Sequence, residues 1–291
     1  MAHEFIMWCG NRIHVTEAGQ GDPLLLVPGL GNNIEMWVPF MEQFPNRRII
    51  HLDAPGTGLS STPVCPINVP ALADLLVAVL DHRGVPSADV VGFSYGGAVA
   101  QQLAFDHPTR VRRLVLAATN CGIGAFPGWL PAVMSLATPL RYYSPSFFDR
   151  TAAATNGGVT ARDQAVRERM INARRSHPPA ADGYTMQLLG IVGWSSWHFL
   201  RCIPHETLVI AGDDDPLVPV ANARMLAERI PNATLEIVPG AGHLLLWDDS
   251  ENLGRRISSF LNPTRTRRTS GPARPARARR RVERSVSRAT P

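Results

Sequence analysis

Gly92-Phe93-Ser94-Tyr95-Gly96 is the stretch on which the fold turns. A serine stands between two glycines, after the apolar run Asp89-Val90-Val91-Gly92-Phe93. Behind it, Gly97-Ala98-Val99-Ala100-Gln101-Gln102-Leu103-Ala104 reads as a tightly packed helix. A G-x-S-x-G pentapeptide at such a junction predicts a sharp strand-to-helix turn with strained backbone angles. Only residues without a β-carbon let the neighbouring chain pass that closely. Ser94 then projects above the edge of a sheet as a candidate nucleophile. The pentapeptide alone is a weak signal, and the strand and helix around it give it weight.

A serine hydroxyl is a poor nucleophile near neutral pH, so Ser94 requires a histidine to take its proton and a carboxylate to orient that histidine. Thr207-Leu208-Val209-Ile210-Ala211 is a β-branched strand that runs into Gly212-Asp213-Asp214-Asp215-Pro216. Carboxylates therefore stand at a strand's C-terminal end, the edge where open α/β sheets gather their reacting groups. Three adjacent aspartates cannot all serve, and an Asp after a strand commonly closes a turn through its own side chain. A further strand, Thr234-Leu235-Glu236-Ile237-Val238, leads to Pro239-Gly240-Ala241-Gly242-His243. Of the nine histidines, only His243 combines a preceding strand with flanking glycines.

Leu24-Leu25-Leu26-Val27 is a continuous apolar run suited to a strand buried on both faces, and it ends in Pro28-Gly29-Leu30-Gly31. Arg48-Ile49-Ile50-His51-Leu52 is also strand-like and ends in Asp53-Ala54-Pro55-Gly56-Thr57-Gly58-Leu59-Ser60. Gly56 and Gly58 do not make a dinucleotide loop. The third glycine is missing, a proline precedes the pair, and no acidic residue follows a second strand at the required distance.

These landmarks resemble the α/β-hydrolase superfamily over nearly all of residues 1–261. The resemblance implies an α/β fold with a mostly parallel central sheet flanked by helices. It also implies the chain order Ser94, Asp, His243, and its Asp-x-x-x-Pro pattern selects Asp215 as the acid. Asp213 and Asp214 then cap the loop or hold solvent. One oxyanion-hole N–H is expected from Tyr95, the residue after the nucleophile, and another from Leu30. Many relatives have His-Gly where this chain has Pro28-Gly29, which leaves the main-chain donor in place.

A finer resemblance, to the intracellular medium-chain-length poly(3-hydroxyalkanoate) depolymerases, rests on four stretches. They are Gly92 through Gln102, Leu114-Val115-Leu116-Ala117-Ala118-Thr119, Gly193-Trp194-Ser195-Ser196-Trp197-His198, and Leu208 through Pro219. It implies catalysis on esters of 3-hydroxyalkanoic acids by Ser94, Asp215 and His243, with Trp194 and Trp197 as substrate-binding residues. Tyr95 departs from the tryptophan expected in that family, a change that reshapes the acyl pocket.

Composition agrees with a soluble enzyme. At 291 residues the chain is one large domain or one domain with an insertion. No apolar run approaches the roughly 18 residues that span a bilayer. The start lacks a basic region and a long apolar core, which argues against a secretory signal. Cys9, Cys65, Cys121 and Cys202 have neither pairing nor metal-ligand spacing, so reduced thiols in the cytoplasm are expected. The triad chemistry calls for no metal or organic cofactor.

Residues 1–118 and 205–261 are thus expected to form the hydrolase core. Residues 119–204, rich in proline, glycine and aromatics, form a lid that binds an acyl chain and excludes water. Taken singly, these aromatics read as packing between lid and core. Arg162, Arg167, Arg169, Arg174 and Arg175, with Asp163 and Glu168, read as a solvated helix face. Residues 262–291 carry ten arginines and one acidic residue, Glu283, a net of about +9 that leaves the rest of the chain near −4. Such a tail reads as disordered, and either tethers the enzyme to an anionic surface, such as a storage granule or nucleic acid, or is a solvated extension.

The expected function is a cytoplasmic serine esterase acting on a hydrophobic ester or polyester. Alternatives are a generic carboxylesterase or lipase, a carbon–carbon bond hydrolase, and a perhydrolase of the cofactor-free haloperoxidase type, all with the same triad. From a different class comes a granule-surface binding protein with incidental activity.

Overall fold

The computed structural model describes residues 2–262. Its strands are β1 (Ala2–Trp8), β2 (Asn11–Ala18), β3 (Asp22–Val27), β4 (Arg47–Leu52), β5 (Ala88–Phe93), β6 (Val111–Ala117), β7 (Glu206–Gly212) and β8 (Ala233–Val238). They form one sheet in the order β1-β2-β4-β3-β5-β6-β7-β8. From β4 to β8 every neighbouring pair is parallel, whereas β2 runs antiparallel to both β1 and β4.

Burial accounts for this order. Every residue of β5 is buried, as are Leu24 to Val27 of β3, so the continuous apolar runs occupy the middle of the sheet. β1 lies at the edge, with Ile6 its one fully buried residue. Cys9 (φ 46°) and Gly10 (φ 77°) join it to β2 through a two-residue turn with both residues left-handed, the geometry that matches strand twist. Cys9-Gly10 is not one of the Asn-Gly or Asp-Gly pairs that mark such a hairpin in a sequence. Helix Val69–His82 packs against helix Tyr95–Asp106, and helix Ser250–Leu261 packs against Val38–Met41 and Leu245–Asp248. The parallel sheet with flanking helices matches the expectation.

Parallel register brings the functional segments to one edge. Val27 pairs with Gly92, Phe93 with Ala117, Ala117 with Ile210, and Gly212 with Val238. The loops after β3, β5, β7 and β8 therefore leave the sheet side by side.

The turn after β4 braces one of those loops. Asp53, almost wholly buried, accepts from the backbone N–H of Ile34 and of Leu59 at 3.0 Å each, and its carboxylate lies 2.7 Å from His14 Nδ1. A β-carbon on Gly58 would come within 2.2 Å of that carboxylate, and Gly58 is left-handed at φ 54°. Ser60 Oγ donates to the Asp53 carbonyl at 2.7 Å. The turn Asp53 to Ser60, with Gly56 and Gly58 inside it, is thus a carboxylate cradle.

Between β6 and β7 the chain forms six α-helices: Leu130–Ser135, Leu140–Tyr143, Pro145–Asn156, Gly158–Arg162, Gln164–Ser176 and Ala181–Gly190. Ser144 caps the third, accepting from Phe147 N at 3.2 Å, and Asp163 caps the fifth. One expectation is corrected here. Arg174 does not sit on a solvated face; it is 3 % exposed, on the buried stripe Val166, Met170, Arg174 of its helix.

Of the expected tail, Asn262 ends the last helix and its amide oxygen accepts from Arg47 Nη1 at 3.0 Å; residues 263–291 lie outside the described residues. Among the described residues no helix is long and apolar enough to cross a membrane. Cys9, Cys65, Cys121 and Cys202 are all unbridged.

Candidate active site

Ser94 sits between β5 and its helix with φ 52° and ψ −118°, a backbone conformation that costs on the order of 1–3 kcal/mol for a residue with a side chain. Its surroundings hold it there. Ser94 N donates to Ala117 O at 2.9 Å, while its carbonyl accepts from Gly97 N at 2.9 Å and Thr119 Oγ1 at 2.7 Å. The flanking glycines are steric necessities. A β-carbon on Gly96 would lie 2.2 Å from the Val27 carbonyl oxygen, and one on Gly92 2.6 Å from the Gly96 carbonyl oxygen.

His243 Nε2 lies 3.0 Å from Ser94 Oγ, and its Nδ1 lies 2.9 Å from Asp215 Oδ2. Asp215 Oδ1 accepts from the backbone N–H of Leu217 and of Val218, each at 2.9 Å. The Asp215 side chain is fully buried with both oxygens engaged. A carboxylate only accepts, so Nδ1 carries the imidazole proton and Nε2 offers its lone pair to Ser94. Phe93 packs against His243, and Trp247 meets Phe93 edge to face with ring centres 4.8 Å apart.

The neighbouring aspartates have other partners. Asp213 accepts from Gly240 N at 2.6 Å, which joins the loop after β7 to the loop after β8. Asp214 accepts from Gly158 N at 2.9 Å and from Arg162 Nη1 at 3.0 Å, both from the inserted helices. Both thus cap loops, and Asp215 alone reaches His243.

The two residues expected at the oxyanion flank Ser94. Tyr95 opens the helix, where backbone N–H groups have no partner within the helix. The Gly29 carbonyl accepts from Asn32 N at 3.1 Å, which turns the Leu30 N–H of the same peptide to the opposite side. The next peptide is clamped by the insertion: Tyr142 Oη donates to Leu30 O at 2.6 Å, and Gly31 N donates to Gln187 Oε1 at 3.0 Å.

Residues 22–250 match the alpha/beta hydrolase fold family. The chain belongs to that family. A poly(3-hydroxyalkanoate) depolymerase of Ectopseudomonas oleovorans is 43% identical over 87% of this chain and 89% of its own length. A 2-hydroxymuconate semialdehyde hydrolase of Pseudomonas sp. (strain CF600) is 30% identical over 88% of this chain and 92% of its own. Among solved structures, a thermophilic esterase from Thermogutta terrifontis superposes with a TM-score of 0.76 at 26% identity, covering 90% of this chain and 99% of that one.

In this α/β-hydrolase, Ser94 opens onto a cavity of about 350 Å³ whose walls include Leu30, Tyr95, Val133, Leu136, Leu188 and Leu217. The lining is mostly apolar, with Thr119 and Asn120 among its polar members, and the volume falls in the range of small-molecule sites. Neither tryptophan expected to bind substrate lines it. Trp194 is 8 % exposed and its indole N–H donates to Gln102 Oε1 at 2.8 Å. Trp197 lies beneath the Arg229 guanidinium, 3.6 Å from its ring centre, and borders a different surface cleft with Ile123 and His198. A β-carbon on Gly122 would come within 2.7 Å of the Trp194 ring, so that glycine leaves room for the indole. Tyr95 does line the cavity, and its buried hydroxyl has no hydrogen-bond partner. Burial pushes that phenol above its ordinary range.

Three residues beside the site were not singled out for it from sequence. Asn156, in the insertion, accepts from His243 N at 2.6 Å through its carbonyl. Arg174 and Arg141 line a small cavity that also holds Ser94 and His243.

Proposed function

We propose that the protein is a serine ester hydrolase that cleaves poly(3-hydroxyalkanoate) through an acyl-enzyme. The observation that carries this reading is the line Asp215–His243–Ser94, with contacts of 2.9 and 3.0 Å, opening on an apolar cavity. The polymer assignment is supported by the 43% identity to a depolymerase of that class.

His243 Nε2 takes the proton of Ser94 Oγ as the oxygen attacks the ester carbonyl. The oxyanion is held by the backbone N–H groups of Leu30 and Tyr95, each worth roughly a hundred- to a thousandfold in rate. Asp215 fixes the imidazole orientation and stabilises its charged form. The imidazolium then gives its proton to the departing alkoxide. Water, activated by His243, cleaves the acyl-enzyme by the same route. The inserted helices act as a lid that keeps bulk water from the acyl chain. The enzyme works in the cytoplasm at the surface of polymer granules, with its arginine-rich end drawn to the granule's anionic coat.

Wild type and Ser94→Ala on a medium-chain polyhydroxyalkanoate latex test this reading, with p-nitrophenyl esters alongside. Loss of turbidity and release of 3-hydroxy acids by wild type alone is expected. Cleavage of the small esters without clearance of the latex removes the polymer and keeps the esterase.

A further inference from the structure

We propose that Arg174 and Arg141 form a carboxylate-binding subsite beside Ser94, which takes the free carboxylate of the terminal hydroxy acid released as the alcohol. This rests on the polyester reading of the site and adds a direction to it, trimming from the carboxylate end of the chain.

Both arginines come from the inserted helices, and neither has an anionic partner among the described residues. Arg174 is 3 % exposed, and its Nε and Nη1 are buried donors without an acceptor. Arg141 Nε is likewise buried and unpaired, while its Nη2 reaches Leu30 O at 3.3 Å. The Arg174 guanidinium lies over Phe148 at 4.2 Å and near Tyr142 at 5.5 Å; Arg141 lies 5.1 Å from the Tyr142 ring. Aromatic faces offset only part of the cost of burying a cation, and two cations close together add repulsion. Burial, with Tyr142 opposing it and the Arg141 charge adding to it, lowers the Arg174 guanidinium to about 10. At Arg141 burial is outweighed by the neighbouring Tyr184 and Tyr142, which hold it above its ordinary range. A protein keeps such a pair where an anion completes it.

The position identifies the anion. Arg141 and Arg174 border a cavity of about 30 Å³ that also touches Ser94, His243 and Leu30. That is room for a water or a carboxylate group, not for an alkyl chain. Ser94 and Leu30 also border the apolar cavity, so the nucleophile stands between a greasy space and a cationic one. A polyester of 3-hydroxy acids ending in a free acid has this polarity. Its last ester oxygen is separated from the terminal carboxylate by two carbons, while the acyl side is aliphatic.

In the first step the Ser94 Oγ–acyl bond forms and the bond from acyl carbon to ester oxygen breaks. The proton leaves Ser94 through His243 for that oxygen, and the 3-hydroxy acid departs with its carboxylate on the arginines. Water then cleaves the acyl-enzyme. The shortened chain leaves with a new free carboxylate, the group needed for the next cycle.

The test uses the linear dimer of 3-hydroxyoctanoate as free acid and as methyl ester. Wild type is expected to show kcat/KM at least tenfold higher for the free acid, and Arg174→Met to bring that ratio within threefold of one. A merely structural arginine leaves the ratio unchanged. Binding to Ser94→Ala, followed by calorimetry, supplies a readout without turnover: 3-hydroxyoctanoate should bind at least tenfold more tightly than its methyl ester, and Arg174→Met in that background should abolish the difference. Equal kcat/KM for the two dimers, or equal binding of the two monomers, overturns the subsite, and latex clearance then still upholds the depolymerase. Preference for the free-acid dimer without latex clearance rejects the polymer and retains the subsite.

Discussion

The backbone N–H of His243 donates to the carbonyl of Asn156 across 2.6 Å, so the imidazole is fastened to the inserted helices as well as to the sheet. The same corner of the insertion grips the acid loop, because Gly158 N donates to Asp214. Both loops that complete the triad thus depend on residues 156–162. The insertion has a positioning function in addition to its part in lining the cavity.

Gly158→Ala should therefore injure turnover more than folding. Gly158 is left-handed at φ 60°, and a β-carbon there would come within 2.2 Å of Gly242 N, next to His243. The left-handed backbone alone costs about 1 kcal/mol. Displacing the imidazole by about 1 Å costs on the order of a hundredfold in rate. We expect kcat on p-nitrophenyl butyrate to fall by about that factor while the circular dichroism spectrum is retained. A variant with near wild-type kcat removes the positioning function.

The three consecutive aspartates separate by kinetics. Asp215→Asn leaves the fold intact but presents an amide to His243 Nδ1, favouring the wrong tautomer, and a loss of about ten-thousandfold in kcat is expected. Asp213→Asn removes only a loop contact to Gly240 N and should cost less than about tenfold. Asp214→Ala releases Gly158 and Arg162 and should fall between the two. Equal losses at Asp213 and Asp215 contradict the assignment.

How far the chain could be read follows from where its signals lie. β3 and β5 were legible because strands buried on both faces leave unbroken apolar runs. The glycines around Ser94 were legible because steric exclusion allows nothing else there. The β1–β2 hairpin was not, since an edge strand leaves apolar residues such as Phe5 and Met7 exposed and so shows no clean alternation of buried and exposed side chains. The Asn156 contact was invisible because it is made by a carbonyl that every residue has. Arg174 was misread from the charge around it. The spacing of Val166, Met170 and Arg174 at four-residue steps was the signal that places it on the inner face. Trp194 and Trp197 are substrate residues only by resemblance; in the structure Trp194 hydrogen-bonds Gln102 and neither lines the cavity beside Ser94.

His51 ties stability to pH. It is fully buried on β4, with Nδ1 donating to Leu26 O at 3.0 Å and its ring edge-on to Trp37. Burial lowers it from 6.5 to about 4, with Asp53 opposing the shift. Between those values the unfolded chain binds a proton that the folded chain refuses, so stability is complete above pH 6.5 and is lost as pH falls toward 4. The loss approaches about 1.4 kcal/mol per pH unit within the window. Urea unfolding of wild type and His51→Gln at pH 7 and pH 5 should show the smaller decline in the variant. Parallel declines exclude His51 as the source.

Leu188 offers a way to separate cavity length from triad chemistry. It belongs to helix Ala181–Gly190 and lines the apolar cavity, while no hydrogen bond links its side chain to Ser94, His243 or Asp215. Leu188→Trp adds an indole to a space of about 350 Å³ and shortens the room for an acyl tail. The cavity is open space rather than packed core, so overpacking strain of about 1–3 kcal/mol is avoided if the indole enters it. Each methylene denied burial weakens binding by about 0.8 kcal/mol, roughly a factor of four. Excluding two methylenes then lowers kcat/KM for p-nitrophenyl octanoate by about fifteenfold and leaves p-nitrophenyl acetate within about twofold. A uniform loss across chain lengths means that the acyl chain lies elsewhere, since a shared defect in the triad acts on every ester alike.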